Sequence, residues 1–288
     1  MPSEESSTAA TDPAAMVTLS TVFCADDADV VIRAAGTMGF RVHYSSLSLA
    51  SPIFKDMFTI PQPPSVTPDT LPHVDVQESA KTWEHILRTI YPMPHPIIGD
   101  LDDLVSLLLA AKKYEMQCVI DSHKRNFGNH AFIRRDPLQL YAIACACGLD
   151  DHARFVARNA DSMMVIKRSQ GDDLNGLTLA SYRRLITFLV ERDNELRPIL
   201  EEGWTSFESL CDCLEGHEGL YKHTKEKLRM PYIQMEEVYL GALEDRSHYY
   251  SKACSEEKCA VVAAEIKRFL KRMFKERERV CNKFMWKR

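Results

Sequence analysis

The sequence predicts a small α+β domain followed by an all-helical one, and three observations carry that reading. A short β-branched run at Val30–Ile32 and an alternating one at Phe40–His43 come early. Amphipathic helical spacing takes over from Ser51. From Asp136 onward every periodic segment has a helical period, and no repeat of fixed length appears.

The first ordered signal is Ala28-Asp29-Val30-Val31-Ile32-Arg33. Ala34-Ala35-Gly36 turns it and Phe40-Arg41-Val42-His43 follows, which predicts a hairpin. Asp29 beside a buried strand must find a donor or stay at the edge, because an unpaired buried carboxylate is costly. Ser51-Pro52 supplies an N-cap and a proline at the first helical position, where its missing N–H costs nothing. Ile53, Phe54, Met57 and Phe58 then form one apolar face, and the proline-rich stretch 61–68 ends the helix. His73–Val76 reads as a further strand. Ser79 caps a helix with Trp83, Ile86, Leu87, Ile90 and Tyr91 on one face, stopped by Pro92. Asp100 opens another, with Leu101, Leu104, Val105, Leu108 and Leu109 inward, and a less periodic helix is expected near 116–126. Phe54, Trp83, Ile86, Leu87, Leu104 and Leu108 are the expected core.

In the second half, Asp136-Pro137 caps a helix with Leu138, Tyr141, Ala142 and Cys145 buried, and Gly148 stands where a C′ glycine belongs. Asp150 or Asp151 is expected to cap its partner. Tyr182, Leu185, Ile186 and Leu189 mark another helix reaching toward Pro198. The last helix, 256–283, carries Val262, Ile266, Phe269, Leu270, Met273 and Phe274 along one side, with Lys267, Arg268, Lys271, Arg272 and Lys275 around them. Such a helix suits an acidic partner, a membrane surface or nucleic acid. The favoured reading is that it closes the helical domain with its lysines in water.

The chain has 288 residues and a net charge of −5, which gives no global pull toward nucleic acid or an anionic membrane. Residues 255–288 hold eleven Lys/Arg against five Glu, so that segment is at +6 and the rest at −11. Residues 1–24 are expected to be a disordered leader, polar and acidic, with no basic segment preceding an apolar core as a secretory signal would have. No apolar run approaches the ~20 residues of a membrane helix. Nine cysteines then read as thiols or metal ligands of a reducing compartment, cytoplasmic or nuclear.

Asp29-Val30, then Phe40-Arg41-Val42-His43, Leu47 and Leu49-Ala50-Ser51-Pro52-Ile53-Phe54 together resemble the core pattern of the BTB/POZ domain. The strand at 73–76, the helix ending Arg88-Thr89-Ile90-Tyr91-Pro92, and Leu107 through Met116 continue the pattern in order. The resemblance covers about 26–130, with an all-helical domain over 131–288. Ser-Pro-Ile-Phe-Lys-Asp-Met-Phe and Ile-Tyr-Pro are closest to the fungal BTB proteins that carry helices after the core. What it implies is a protein–protein interaction module that forms a homodimer and recruits a partner, with Tyr44, Leu47, Leu49, Phe54 and Phe58 as interface candidates. His43 is expected to support the fold. A substrate adaptor of a cullin ubiquitin ligase is an alternative, although no hydrophobic-x-Glu signature follows Pro92. A transcription-associated regulator is another, lacking a zinc-finger array or recognition helix.

No phosphate-binding glycine loop, nucleophile elbow or His-Glu-x-x-His motif occurs, so no enzyme is expected and no catalytic residue is assigned. The apolar surroundings of Cys145 and Cys147 favour packing over nucleophilic work. One chemical signal remains. Cys211, Cys213, Cys254 and Cys259 could supply four thiolates to a tetrahedral zinc, with His217, His223 and His248 as substitutes. The spacing departs from paired C-x2-C, and ordinary thiols are the weightier reading. No other cofactor is expected, and the last helix lacks the interleaved aromatics that stack bases, which argues against nucleic acid.

Overall fold

The computed structural model describes residues 18–35, 38–60, 71–168, 176–208 and 256–284. Its chain divides into two compact units, 1–123 and 124–288.

The first unit is built on a four-stranded sheet. The hairpin forms as expected: β2 (Val30–Ala34) pairs antiparallel with β3 (Met38–Val42), from Val30↔Val42 to Ala34↔Met38. Its two flanks are parallel, β4 (His73–Val76) on β2 and β1 (Thr18–Cys24) on β3, in the order β1-β3-β2-β4. β1 corrects the expected extent of the leader. Its Ser20 and Phe23 turn inward, and Phe23 packs edge-on against Phe40 and Tyr91 at 6.1 and 5.6 Å. The Ser20 hydroxyl accepts from the amides of Val22 and Phe23, both at 3.2 Å, where the pairing of β1 with β3 loses register.

Helices α1 (Tyr44–Ala50), α2 (Pro52–Thr59), α3 (Ala80–Ile90), α4 (Leu101–Lys113) and α5 (Gln117–His123) complete this unit. Three caps read from sequence are made: Ser51 accepts from the Phe54 amide, Ser79 from that of Thr82, and Asp100 from that of Asp102. Phe54, Trp83, Ile86, Leu87, Leu104 and Leu108 are all fully buried. Leu109 is only half-buried, and Leu107 takes its place inside.

In the second unit a 3-10 turn (Lys124–Gly128) leads to α6 (His130–Arg135), α7 (Pro137–Ala146), α8 (Asp150–Asn159), α9 (Ser162–Arg168), α10 (Leu179–Glu208) and α11 (Glu256–Phe284). Asp136 caps α7 through the Gln139 amide at 2.9 Å. Gly148, at φ 67°, closes α7 as expected: the Leu149 amide donates to Ala144 and the Gly148 amide to Cys145. Asp150 and Asp151 are not caps. The chain enters α8 through Leu149 so tightly that both fall in the first turn, where they face the positive end of the helix dipole. α10 continues through Pro198 rather than ending there. A proline in a helix interior removes one backbone bond at a cost of about 3 kcal/mol, and α10 packs on α8, α9 and α11, which offsets it.

Candidate interaction surface

The surface is assembled where β3 passes into α1. The Asp29 carboxylate accepts from the Tyr44 amide at 2.6 Å, so the carboxylate beside the strand has its donor and an orphan amide of α1 is satisfied. His43 precedes the helix. Its main-chain amide donates to the Tyr91 hydroxyl at 2.9 Å, and its Nδ1 lies 3.0 Å from the same oxygen. His43 Nε2 stands 3.4 Å from Asp27 and the His43 carbonyl accepts from the Leu47 amide at 3.1 Å, so the residue ties β3 to α3, to the loop before β2 and to the first turn of α1. That is fold support.

α1 and α2 meet at Ser51, which ends one and caps the other. The five interface candidates on these helices separate by direction. In a helix, residues two apart lie about 200° around the axis from each other. Leu47 therefore enters the core while Leu49, 91% exposed, stands in solvent. Leu47 and Phe54 are both fully buried in their own domain and offer nothing to a partner, which removes them from the expected interface. Tyr44 and Phe58 are half-buried and form an edge-to-face pair at 4.3 Å.

Aromatic contacts continue inward from that pair: Phe58 to Phe54 at 5.8 Å, Phe54 to Trp83 at 5.8 Å, and Trp83 to Tyr114 at 5.4 Å. The outer end of this run is thus braced by the core. On α1 and α2, Leu49 and Ile53 are exposed, as is Ile60 at the end of α2, at 61%, and Met57 is half-buried. Sequence patterning missed Ile60, which follows the last turn of α2 and has no helical partner to reveal its side. Burial first, then the nearby Asp29 charge, push the Tyr44 hydroxyl up from its ordinary value, so it stays neutral and available as a donor.

The second unit holds no comparable chemistry among its described residues. Phe269, Met273, Val280 and Cys281 of α11 are buried, and Arg268, Lys271, Arg272 and Lys275 are exposed. The helix closes the unit against α10. The Cys145 thiol is pushed up by burial. Cys211, Cys213 and Cys254 lie outside the described residues, as do the side chain of Cys259 and the three histidines. Among the described residues no group of three His, Cys, Asp or Glu is placed to hold a metal, and no helix is long and apolar enough to cross a membrane.

The family model described as BTB/POZ domain matches residues 20–130. No curated protein matches the chain.

Proposed function

Taking as premise that residues 20–130 are a BTB/POZ domain, a protein–protein interaction module, we propose that this chain forms a homodimer through its α1–α2 face and holds a partner protein elsewhere on its surface. The observation that carries the reading is Leu49. A leucine in the last turn of α1, 91% exposed, on the helix that also carries Tyr44 of the Tyr44–Phe58 pair and with Ile53 nearby in sequence, gains about 1.5–3 kcal/mol when fully buried. A second copy supplies the same apolar face, and a two-fold contact needs nothing else to be self-complementary.

The proposal assigns no catalysis. It places the protein in the cytoplasm or nucleus, where its free thiols stay reduced. Zinc held by Cys211, Cys213, Cys254 and Cys259 is a separate proposal, tested by elemental analysis of protein purified without added metal. The dimer itself is tested by co-expressing two copies with different affinity tags. Purification on the first tag is expected to recover both in comparable amounts. Recovery of the first copy alone would overturn the reading.

A further inference from the structure

α11 packs on α10 and turns Phe269, Met273, Val280 and Cys281 inward. Its outward side is basic. Arg268, Lys271, Arg272, Lys275, Arg279 and Lys283 are all exposed. At 3.6 residues per turn they fall within about 120° of the helix circumference and run along it for about 22 Å. The six therefore form one continuous stripe, with a cation on every turn.

The arrangement works against the helix. Arg268 and Arg272, Lys271 and Lys275, Lys275 and Arg279, and Arg279 and Lys283 are like charges four residues apart, which are surface neighbours and repel. The nearby carboxylates are already committed. Glu265 pairs with Arg268, Glu276 with Arg279 at 2.6 Å, and Glu195 of α10 with Lys283 at 2.7 Å. Lys271, Arg272 and Lys275 in the middle of the stripe have no carboxylate partner among the described residues. Arg272 lies over the Phe269 ring, 5.6 Å from its centroid.

We propose that this stripe receives an acidic helix of a partner protein, centred on Lys271, Arg272 and Lys275. The inference rests on the reading of the chain as a module that holds a partner, and it names where that partner docks. Charge complementarity selects the occupant. A helix with Glu or Asp at every third and fourth position repeats its carboxylates every turn, about 5.4 Å, which is the pitch of the cations. Each turn then sets a carboxylate against a cation, and Arg272 offers a two-pronged donor to one of them. Other anions match the face less closely. The inward half of α11 is occupied by α10, so the helix cannot sink into a nucleic-acid groove. Among the described residues no aromatic side chain stands in the stripe to stack bases, and no large apolar one to enter a bilayer.

The test titrates the full chain into a labelled synthetic helix with Glu at every third and fourth position, following fluorescence anisotropy. The same helix with Gln for Glu, a DNA duplex and phosphatidylserine vesicles are measured beside it. The Glu helix is expected to bind in the micromolar range, less tightly as salt is added, and the Gln helix is not expected to bind. The double variant Lys271→Glu, Lys275→Glu is expected to weaken binding about tenfold or more, with the sedimentation mass unchanged and the thermal midpoint no lower. Failure of the Glu helix to bind below millimolar concentration overturns the proposal, as does binding that the variant leaves undiminished. Tighter binding of the duplex or the vesicles would give the stripe to that class of anion and defeat it. A lowered midpoint in the variant would show that the lysines serve the fold, with the same consequence. Recovery of a single tag in the co-expression experiment defeats the dimer and leaves this surface untouched, so the two readings fail separately.

Discussion

The Ser51 hydroxyl donates to the main-chain carbonyl of Tyr114 at 2.5 Å while accepting from the Phe54 amide at 3.1 Å. One buried side chain thus starts α2 and fastens it to the end of α4. Ser51→Ala removes a cap and leaves a buried carbonyl without its partner, a loss of about 1–3 kcal/mol. Urea denaturation followed by tryptophan fluorescence measures it. An unchanged midpoint would mean that α2 does not need this anchor.

Tyr114 also joins an ionic cluster that makes the first unit sensitive to both acid and base. Its hydroxyl donates to Glu78 at 2.9 Å, and the Lys113 ammonium reaches the other oxygen at 2.7 Å. Burial pushes the Glu78 carboxyl up, but the Lys113 hydrogen bond, a backbone amide and the Tyr114 hydroxyl outweigh it and hold the group below its ordinary value. That contribution is present above the unfolded carboxylate range near pH 4 and is lost as pH falls through the lowered value. Tyr114 is pushed up to about 12 by burial and by Glu78. Its contribution is present below about pH 10 and is lost as pH rises toward 12. Glu78→Gln is expected to flatten the acid limb of a plot of thermal midpoint against pH. An acid limb as steep as the wild type's would place the sensitive group elsewhere.

Two helices end in the same motif with different residues at its left-handed position. α7 uses Gly148, at φ 67°. α4 uses Glu115, at φ 54°, with the Met116 amide donating to Ala111 at 2.7 Å. A side chain in that conformation is strained, and glycine is not. Glu115→Gly is expected to stabilise the protein by about 0.5–1 kcal/mol, after allowing for the greater freedom of glycine in the unfolded chain. Calorimetry showing destabilisation would contradict this account of the turn.

Arg192 is a buried cation that finishes another helix. Its guanidinium donates to the Ala160 carbonyl at 3.1 Å and the Ser162 hydroxyl at 2.7 Å, beside weaker contacts to Ala157 and Arg158, and pairs with Asp193. These carbonyls lie at the C-terminal end of α8, where positive charge is favoured. Arg277 donates to the Arg158 carbonyl at the same end, and burial together with the Arg192 charge pushes it down to about 10. Arg192→Met is expected to cost about 1–3 kcal/mol through the carbonyls left without a donor, and Arg192→Lys is not expected to restore it, since one ammonium lacks the planar fork. Hydrogen exchange should show the loss at the end of α8. Full rescue by lysine would reduce the role of Arg192 to charge alone.

The sequence disclosed the elements whose signals are local. Ser51-Pro52, Ser79, Asp136-Pro137 and Gly148 each announced a helix boundary because the residue acts through its own backbone neighbours. β1 was concealed although Thr18, Thr21 and Val22 favour strands, because its inward residues, Ser20 and Phe23, do not alternate. On α1 and α2, residue type alone put two buried side chains among the interface candidates. Leu47 and Phe54 look like interface residues by type, and only their phase relative to a core built from distant segments shows that they are inside. The ion pairs linking residues far apart, Glu78 with Lys113 and Lys283 with Glu195, have no local signature at all.

The central claim is that the α1–α2 face joins two copies, and sedimentation velocity of the full chain beside Leu49→Asp tests it most directly. Leu49 is exposed in the single chain, so the substitution should leave the folded monomer intact, with thermal unfolding and circular dichroism of isolated monomer unchanged. At micromolar concentration the wild type is expected to sediment with twice the 32.8 kDa chain mass, and Leu49→Asp with the mass of one chain. A wild-type monomer, or a Leu49→Asp protein that remains a dimer, would contradict the account.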